Sequence, residues 1–266
     1  MIRKAVVAGR FYPGARAELS KALNALLSHS PVEEARAILA PHAGYVFSGA
    51  IAGQVYSSVR VPDRVVLIGP NHTGLGPRAS VMASGCWEIP LGRVKVDTGA
   101  AEAVLASTPL FSADTEAHLM EHSIEVQLPF IYVRNPDAMI VPITVMQGSA
   151  VECEEMGRAI AGALSGLAGQ TLIVASTDMN HFEPDGLTRA KDKLAIDKVL
   201  ALDARGLLKA ASENDITMCG VVPSAITIFA ARELGAKKAR LVSYATSGDV
   251  NGDLSQVVGY AGVIIT

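Results

Sequence analysis

The chain has 266 residues, of which 50% are apolar, 18% charged and 5% aromatic, and its formal net charge is −3. This composition excludes a mostly disordered chain, and the slight acidity with few aromatics excludes a basic or base-stacking footprint for nucleic acid. The three cysteines, Cys86, Cys153 and Cys219, are too widely spaced for a disulfide framework, and no apolar run approaches the ~20 residues that span a bilayer, so the expectation is a soluble, cytoplasmic protein with no membrane partner.

The opening "MIRKAVVAGRFYPG" holds an apolar patch too short for a signal-peptide core. Leu19, Leu23, Leu26 and Leu27 then share one helical stripe. Ala37–Ala40 and Val65–Ile68 are short continuous apolar runs, the pattern of strands covered on both faces. "CWEIPLGRVKVD" alternates like a hairpin with Pro90 in its turn. Met139–Val145 and Thr171–Ala175 are further buried strands, separated by the helical stripe Met156, Ile160 and Leu164. Leu194, Val199 and Leu200 mark another helix, and "PSAITIFAARELG" is bracketed by Pro223 and Gly235, start and stop signals. Arg240–Tyr244 and Val257–Ile265 close the series. Strands alternating with helices predict an α/β layered fold with a largely parallel or mixed sheet, and with no linker or repeat the whole of residues 1–266 reads as one domain.

In open α/β sheets ligands bind beyond the carboxyl ends of the strands. "RAILA" is followed by "PHAGY" with His42, "VVLIG" by "PNHTG" with His72, and "TLIVA" by "STDMNHF" with Asp178 and His181. If these strands are neighbours, the side chains converge. Such residue types are the usual ligands of zinc, iron and copper. Any one of these histidines, taken alone, reads more readily as a hydrogen-bonded surface or structural residue; it is the three at equivalent strand ends that point to a metal site. "GPNHTGLG" lacks the lysine of a P-loop and the spacing of a dinucleotide fingerprint.

"EAHLMEHSIEVQLPF" holds His118, Glu121, His122 and Glu125. Three apart on a helix, His122 and Glu125 form an imidazole–carboxylate pair behind a site, or else a solvated helix start. Cys219 lies just before the helix of Pro223, a position that lowers a thiol pKa, or is a small buried hydrophobe, the role also expected for Cys86 and Cys153. "YATSGDVNGDLS" has the composition of a loop over a site but not the pattern of an EF-hand. There is no G-x-S-x-G elbow and no H-E-x-x-H.

"AGRFYPG", "APHAGYVFSG", "LIGPNH", "EHSIEVQLPF", "STDMNHF" and "MCGVVPSAI", in this order, resemble the Memo family. The resemblance implies a fold similar to class III extradiol dioxygenases, non-haem iron enzymes that cleave aromatic rings. It also implies a metal pocket whose ligands fall on His42, His72 and Cys219, with Asp178, His181 and His122 lining it. Ring-cleaving enzymes of this fold use two histidines and a carboxylate; a cysteine in the carboxylate's place is softer and shifts preference toward copper(I) or zinc. In microbes the family is associated with an AMMECR-type protein and a radical SAM protein, the AmmeMemoRadiSam grouping.

The leading expectation is a metal-dependent, dioxygenase-like oxidoreductase holding Fe(II) or Cu on His42, His72 and Cys219. His181 would serve as general acid/base with Asp178 beside it, and His122 would orient a substrate oxygen or dioxygen, with Glu121 or Glu125 behind it. The substrate would be a small polar or aromatic molecule, or a residue on a partner protein. The alternative is an adaptor that binds a peptide in the same cleft, and a third reading is a zinc hydrolase.

Overall fold

The computed structural model describes residues 1–28 and 31–266. Its strands are β1 (Ile2–Arg3), β2 (Ala37–Ala40), β3 (Arg64–Pro70), β4 (Ala79–Val81), β5 (Cys86–Ile89) and β6 (Gly92–Lys95), followed by β7 (Ser112–Ala113), β8 (Met139–Val145), β9 (Thr171–Ser176), β10 (His181–Glu183), β11 (Ala239–Thr246) and β12 (Val257–Ile265). Its helices are α1 (Arg16–Leu26), α2 (Tyr45–Ser58), α3 (Thr98–Ser107), α4 (Glu116–Leu119) and α5 (Leu128–Arg134), then α6 (Ala150–Ser165), α7 (Asp185–Leu200), α8 (Ala204–Glu213), α9 (Val221–Glu233) and α10 (Gly248–Asn251).

The main sheet is mixed, in the order β10-β12-β2-β9-β3-β8-β4-β7, with β11 also paired to β12. β2, β9, β3 and β8 are parallel, whereas β12 runs antiparallel to β2 and β4 antiparallel to β8. The four parallel strands are almost entirely buried, as their unbroken apolar sequences require. α9 covers β9, β3 and β2, with α6 and α8 packed on it and α3 on α6; α2 lies against β2, β11 and β12, with α1 and α5 beside it. This is the layered α/β fold that the alternation of elements predicts.

Local signals explain several boundaries. α6 opens with a capping box, Ser149 accepting from Glu152 N while the Glu152 carboxylate accepts from Ser149 N. Asp97 and Asp203 cap α3 and α8 through their side chains. β5 and β6 form the antiparallel hairpin around Pro90, and β1 adds to it in parallel.

Three expectations are corrected. β11 is longer than Arg240–Tyr244 and only partly buried, because it pairs on one side, to β12. α9 starts at Val221, two residues before Pro223, with Gly220 as its N-cap. The stretch around His118–Phe130 is no continuous helix. It breaks into α4, a turn, a single 3-10 turn over Glu125–Gln127, and α5, where Pro129 sits in the first turn of a new helix. His122 and Glu125 therefore share no helix face, and Glu125, fully buried, is not at a solvated helix start either.

Candidate metal centre

Because β2, β9 and β3 are adjacent and parallel, the loops leaving their carboxyl ends meet. One ring nitrogen each from His42, His72 and His122 lie within 4.8 Å of one another. The His42 ring stands across both others, at centroid separations of 5.4 Å, while His72 and His122 stack at 4.6 Å.

Hydrogen-bond accounting assigns the His42 tautomer. Gln127 Nε2 donates to Pro41 O at 2.9 Å and to Ser176 Oγ at 2.8 Å. Ser176 Oγ spends its one proton on Ser123 O, at 2.7 Å. The 2.9 Å contact between Ser176 Oγ and His42 Nδ1 is thus donated by the imidazole. That leaves Nε2 as an acceptor, in hydrogen-bond contact with Cys219 Sγ at 3.4 Å and 4.0 Å from Asp178 Oδ2. Burial, then the positive charge of His72, hold the His42 pKa down to about 3, so this ring is neutral at neutral pH.

His72 is fixed by a different device. Asn71 Oδ1 accepts from Thr73 N and Gly74 N, both at 3.0 Å, and Asn71 Nδ2 donates to Leu75 O at 2.7 Å. Gly74 takes the left-handed φ of 70° that this turn needs. His72 donates twice to the buried Glu121 carboxylate, from Nδ1 at 2.9 Å and from its backbone N at 2.6 Å. Burial opposes protonation of His72, but the hydrogen bond and charge of Glu121 outweigh it, and the pKa lies above the ordinary value. Burial would raise Glu121, yet the His72 bond and charge, with Ser123 N at 2.8 Å, hold it down to about 2. His122 Nδ1 is 3.5 Å from the same carboxylate oxygen. Burial and the neighbouring His42 lower the His122 pKa to about 4. The carboxylate behind His122 is thus Glu121. Glu125 instead faces the N-terminal segment, accepting from Tyr12 OH at 2.6 Å and Val7 N at 3.1 Å and pairing with Arg3.

Asp178 Oδ1 accepts from His42 N at 2.8 Å and Ala43 N at 3.3 Å, tying the β9 loop to the β2 loop. Burial raises its pKa. Cys219 Sγ accepts from Asp178 N at 3.3 Å. Its thiol pKa is raised, by burial and then by the Asp178 charge, and not lowered as the helix start suggests. His181 is not one of the three clustered imidazoles, but it lies near enough for its charge to act on His42 and Asp178. It is clamped by Thr217, whose carbonyl accepts from Nδ1 at 2.9 Å and whose Oγ1 accepts from the backbone N at 2.8 Å, so Nε2 is its free nitrogen. His118 is fully buried on Ser80 Oγ and Trp87, outside the cluster.

Ligand nitrogens about 2.1 Å from a common ion are about 3.4 Å apart in a tetrahedral site, so the cluster needs only a small closure to hold one. The donor set fits a metal: two neutral imidazoles, a third oriented by a carboxylate, and a thiol beside them. Ser176 opens "STDMNHF" and Ser123 and Gln127 lie within "EHSIEVQLPF", yet neither stretch marks these three as site residues by residue type or spacing. Arg3 is likewise unmarked; it donates to His118 O at 3.0 Å and to Glu121 O, bracing the loop that holds Glu121 and His122.

The chain is similar to known proteins along nearly its whole length. The chain is 43% identical to a MEMO1 family protein of Aquifex aeolicus, over 99% of this chain and 98% of the other. It is 39% identical to one of Methanopyrus kandleri over 99% of each chain, and 40% identical to one of Pyrobaculum aerophilum over 99% and 98%. The crystal structure of an uncharacterized Escherichia coli K12 protein matches the fold with a TM-score of 0.59 at 14% identity, covering 86% of this chain and 98% of that one. Residues 3–264 match the family model described as Memo-like protein, and the chain belongs to the Memo family.

Proposed function

We propose that this Memo-family protein is a metal-dependent, dioxygenase-like oxidoreductase that holds iron or copper in the pocket of His42, His72, His122 and Cys219. The observation that supports the reading most directly is the convergence of three imidazole nitrogens within 4.8 Å, with the outer nitrogens of His42 and His72 already committed to Ser176 and Glu121. Metal-ligating histidines are oriented in this way. A bound iron or copper ion would supply one-electron redox chemistry and Lewis acidity.

The protein's own groups have distinct tasks. Ser176 and Glu121 fix the tautomers, and Asp178 holds the β2 and β9 loops in register through the His42 and Ala43 amides. His181, its Nδ1 proton held by Thr217 O, accepts and returns a proton at Nε2. The substrate is a small polar or aromatic molecule, or a residue presented by a partner such as the AMMECR-type or radical SAM protein.

Metal content, measured by mass spectrometry on untagged protein purified without oxygen, tests the reading with His72→Ala in parallel. Near-stoichiometric iron or copper that disappears in the variant is the expected result. Zinc in its place transfers the pocket to hydrolytic chemistry. No metal in either protein, after reconstitution with Fe(II), Cu(I) and Zn(II), overturns the reading and leaves a ligand-binding cleft.

A further inference from the structure

β10 pairs with β12 through His181↔Val258 and Glu183↔Val257, and the register slips between them. The extra residue is Phe182, whose φ is 60°. Non-glycine residues rarely adopt this left-handed backbone, and for a bulky side chain it is strained. The flanks enforce it. His181 is bound to Thr217 through backbone and ring, and the Glu183 carboxylate is held by Asn180 Nδ2 at 2.6 Å and Lys191 Nζ at 2.8 Å. A bulge of this kind re-aims a side chain.

The strain is not offset by packing, because Phe182 is 69% exposed. Its ring lies 5.6 Å from the His181 ring, at 62°. Three other exposed apolar residues lie close in sequence to the clustered histidines: Val46 in the first turn of α2, four residues after His42, Leu75 on the loop three after His72, and Met120 two before His122. The pocket thus has a floor of imidazoles and a thiol, with exposed apolar side chains close to them in sequence.

We propose that Phe182 is a specificity-determining residue of this pocket, its strained backbone presenting the ring as an apolar wall. The ligand it selects is a small molecule with a metal-binding oxygen head and a flat apolar body. The inference rests on the metal-centre reading above. Offset or edge contacts between such a body and the Phe182 ring add to the affinity of the head group.

Two hydroxamates with the same chelating head test it: benzohydroxamate, which carries a ring, and acetohydroxamate, which carries a methyl group. Each is titrated into the full-length protein loaded with Co(II), and binding is followed in the visible cobalt bands. Wild type should prefer benzohydroxamate by about tenfold more than Phe182→Gly does, the equivalent of one good aromatic contact. Phe182→Trp should keep the preference. Phe182→Gly should melt close to wild type, since glycine accepts the left-handed backbone and little burial is lost. An unchanged preference in Phe182→Gly, or a marked fall in its melting temperature without a change in preference, overturns the inference and makes the residue structural. Cobalt bands that are absent, or that survive His72→Ala, remove the metal reading itself and this inference with it.

Discussion

Glu121 binds the backbone and ring of His72, the amide of Ser123 and the flank of His122, all from a fully buried carboxylate. Glu121→Gln keeps the shape and removes the charge, so the orientation of His72 weakens and its pKa falls back. We expect a loss of about 10- to 100-fold in metal affinity with the fold retained, measured by competition with a chelator of known affinity. His42, His72, Asp178, His181 and Cys219 can be picked out from the sequence because they follow apolar runs or precede a helix. Glu121 is visible only as one of two acids near His122, and the helical spacing points to Glu125 instead. Ser176 and Gln127 stand inside "STDMNHF" and "EHSIEVQLPF", but their roles cannot be read there, because they depend on contacts across 53 residues to Ser123 O and 86 to Pro41 O.

Among the elements, the buried parallel strands are the most legible, since a strand covered on both faces must be apolar throughout. Their order is not legible: nothing local shows that β9 lies between β2 and β3, and that order is what joins the His42, Asp178 and His72 loops. The junction of β9 and α9 shows how tightly that order is enforced. A Cβ at Gly220 would lie 2.4 Å from Thr177 Cβ and 2.7 Å from Ser176 O, and Gly220 N donates to Thr177 Oγ1 at 3.0 Å. Gly220→Ala must push the start of α9 away from β9 and carry Cys219 off His42 Nε2. Overpacking of this kind costs about 1–3 kcal/mol, to be read from chemical denaturation. Thiol-dependent cobalt charge-transfer absorption, if Cys219 is a ligand, should fall in the same variant.

The molecule as a whole also carries a pH dependence located away from the imidazoles. Buried Asp192 on α7 accepts from Asn180 N at 2.8 Å and from Tyr244 OH at 2.7 Å, against Gly259 of β12. Burial raises its pKa to about 6 despite those bonds. The folded state therefore holds this proton more tightly than the unfolded chain does. Its stabilising effect is complete below the ordinary carboxylate range and is lost as pH rises through about 6. Between about pH 4 and pH 7, wild type should lose on the order of 3 kcal/mol relative to Asp192→Asn, measured by denaturant titration across that range. A flat difference between the two proteins would show that Asp192 does not titrate there.

The long span between His42 and Cys219, 177 residues, has a consequence for biosynthesis. At roughly 5–20 residues per second, about 10 to 35 seconds separate the synthesis of these two side chains. β2 meanwhile waits for β9 on one side and for β12, beyond Cys219, on the other. During that interval His42 and His72 are carried on an unfinished chain, open to any thiol, ion or chaperone in the surroundings. On the proposed metal reading, loading of the complete pocket would be a post-translational event, set by what is available to the protein once the last strand has closed the sheet.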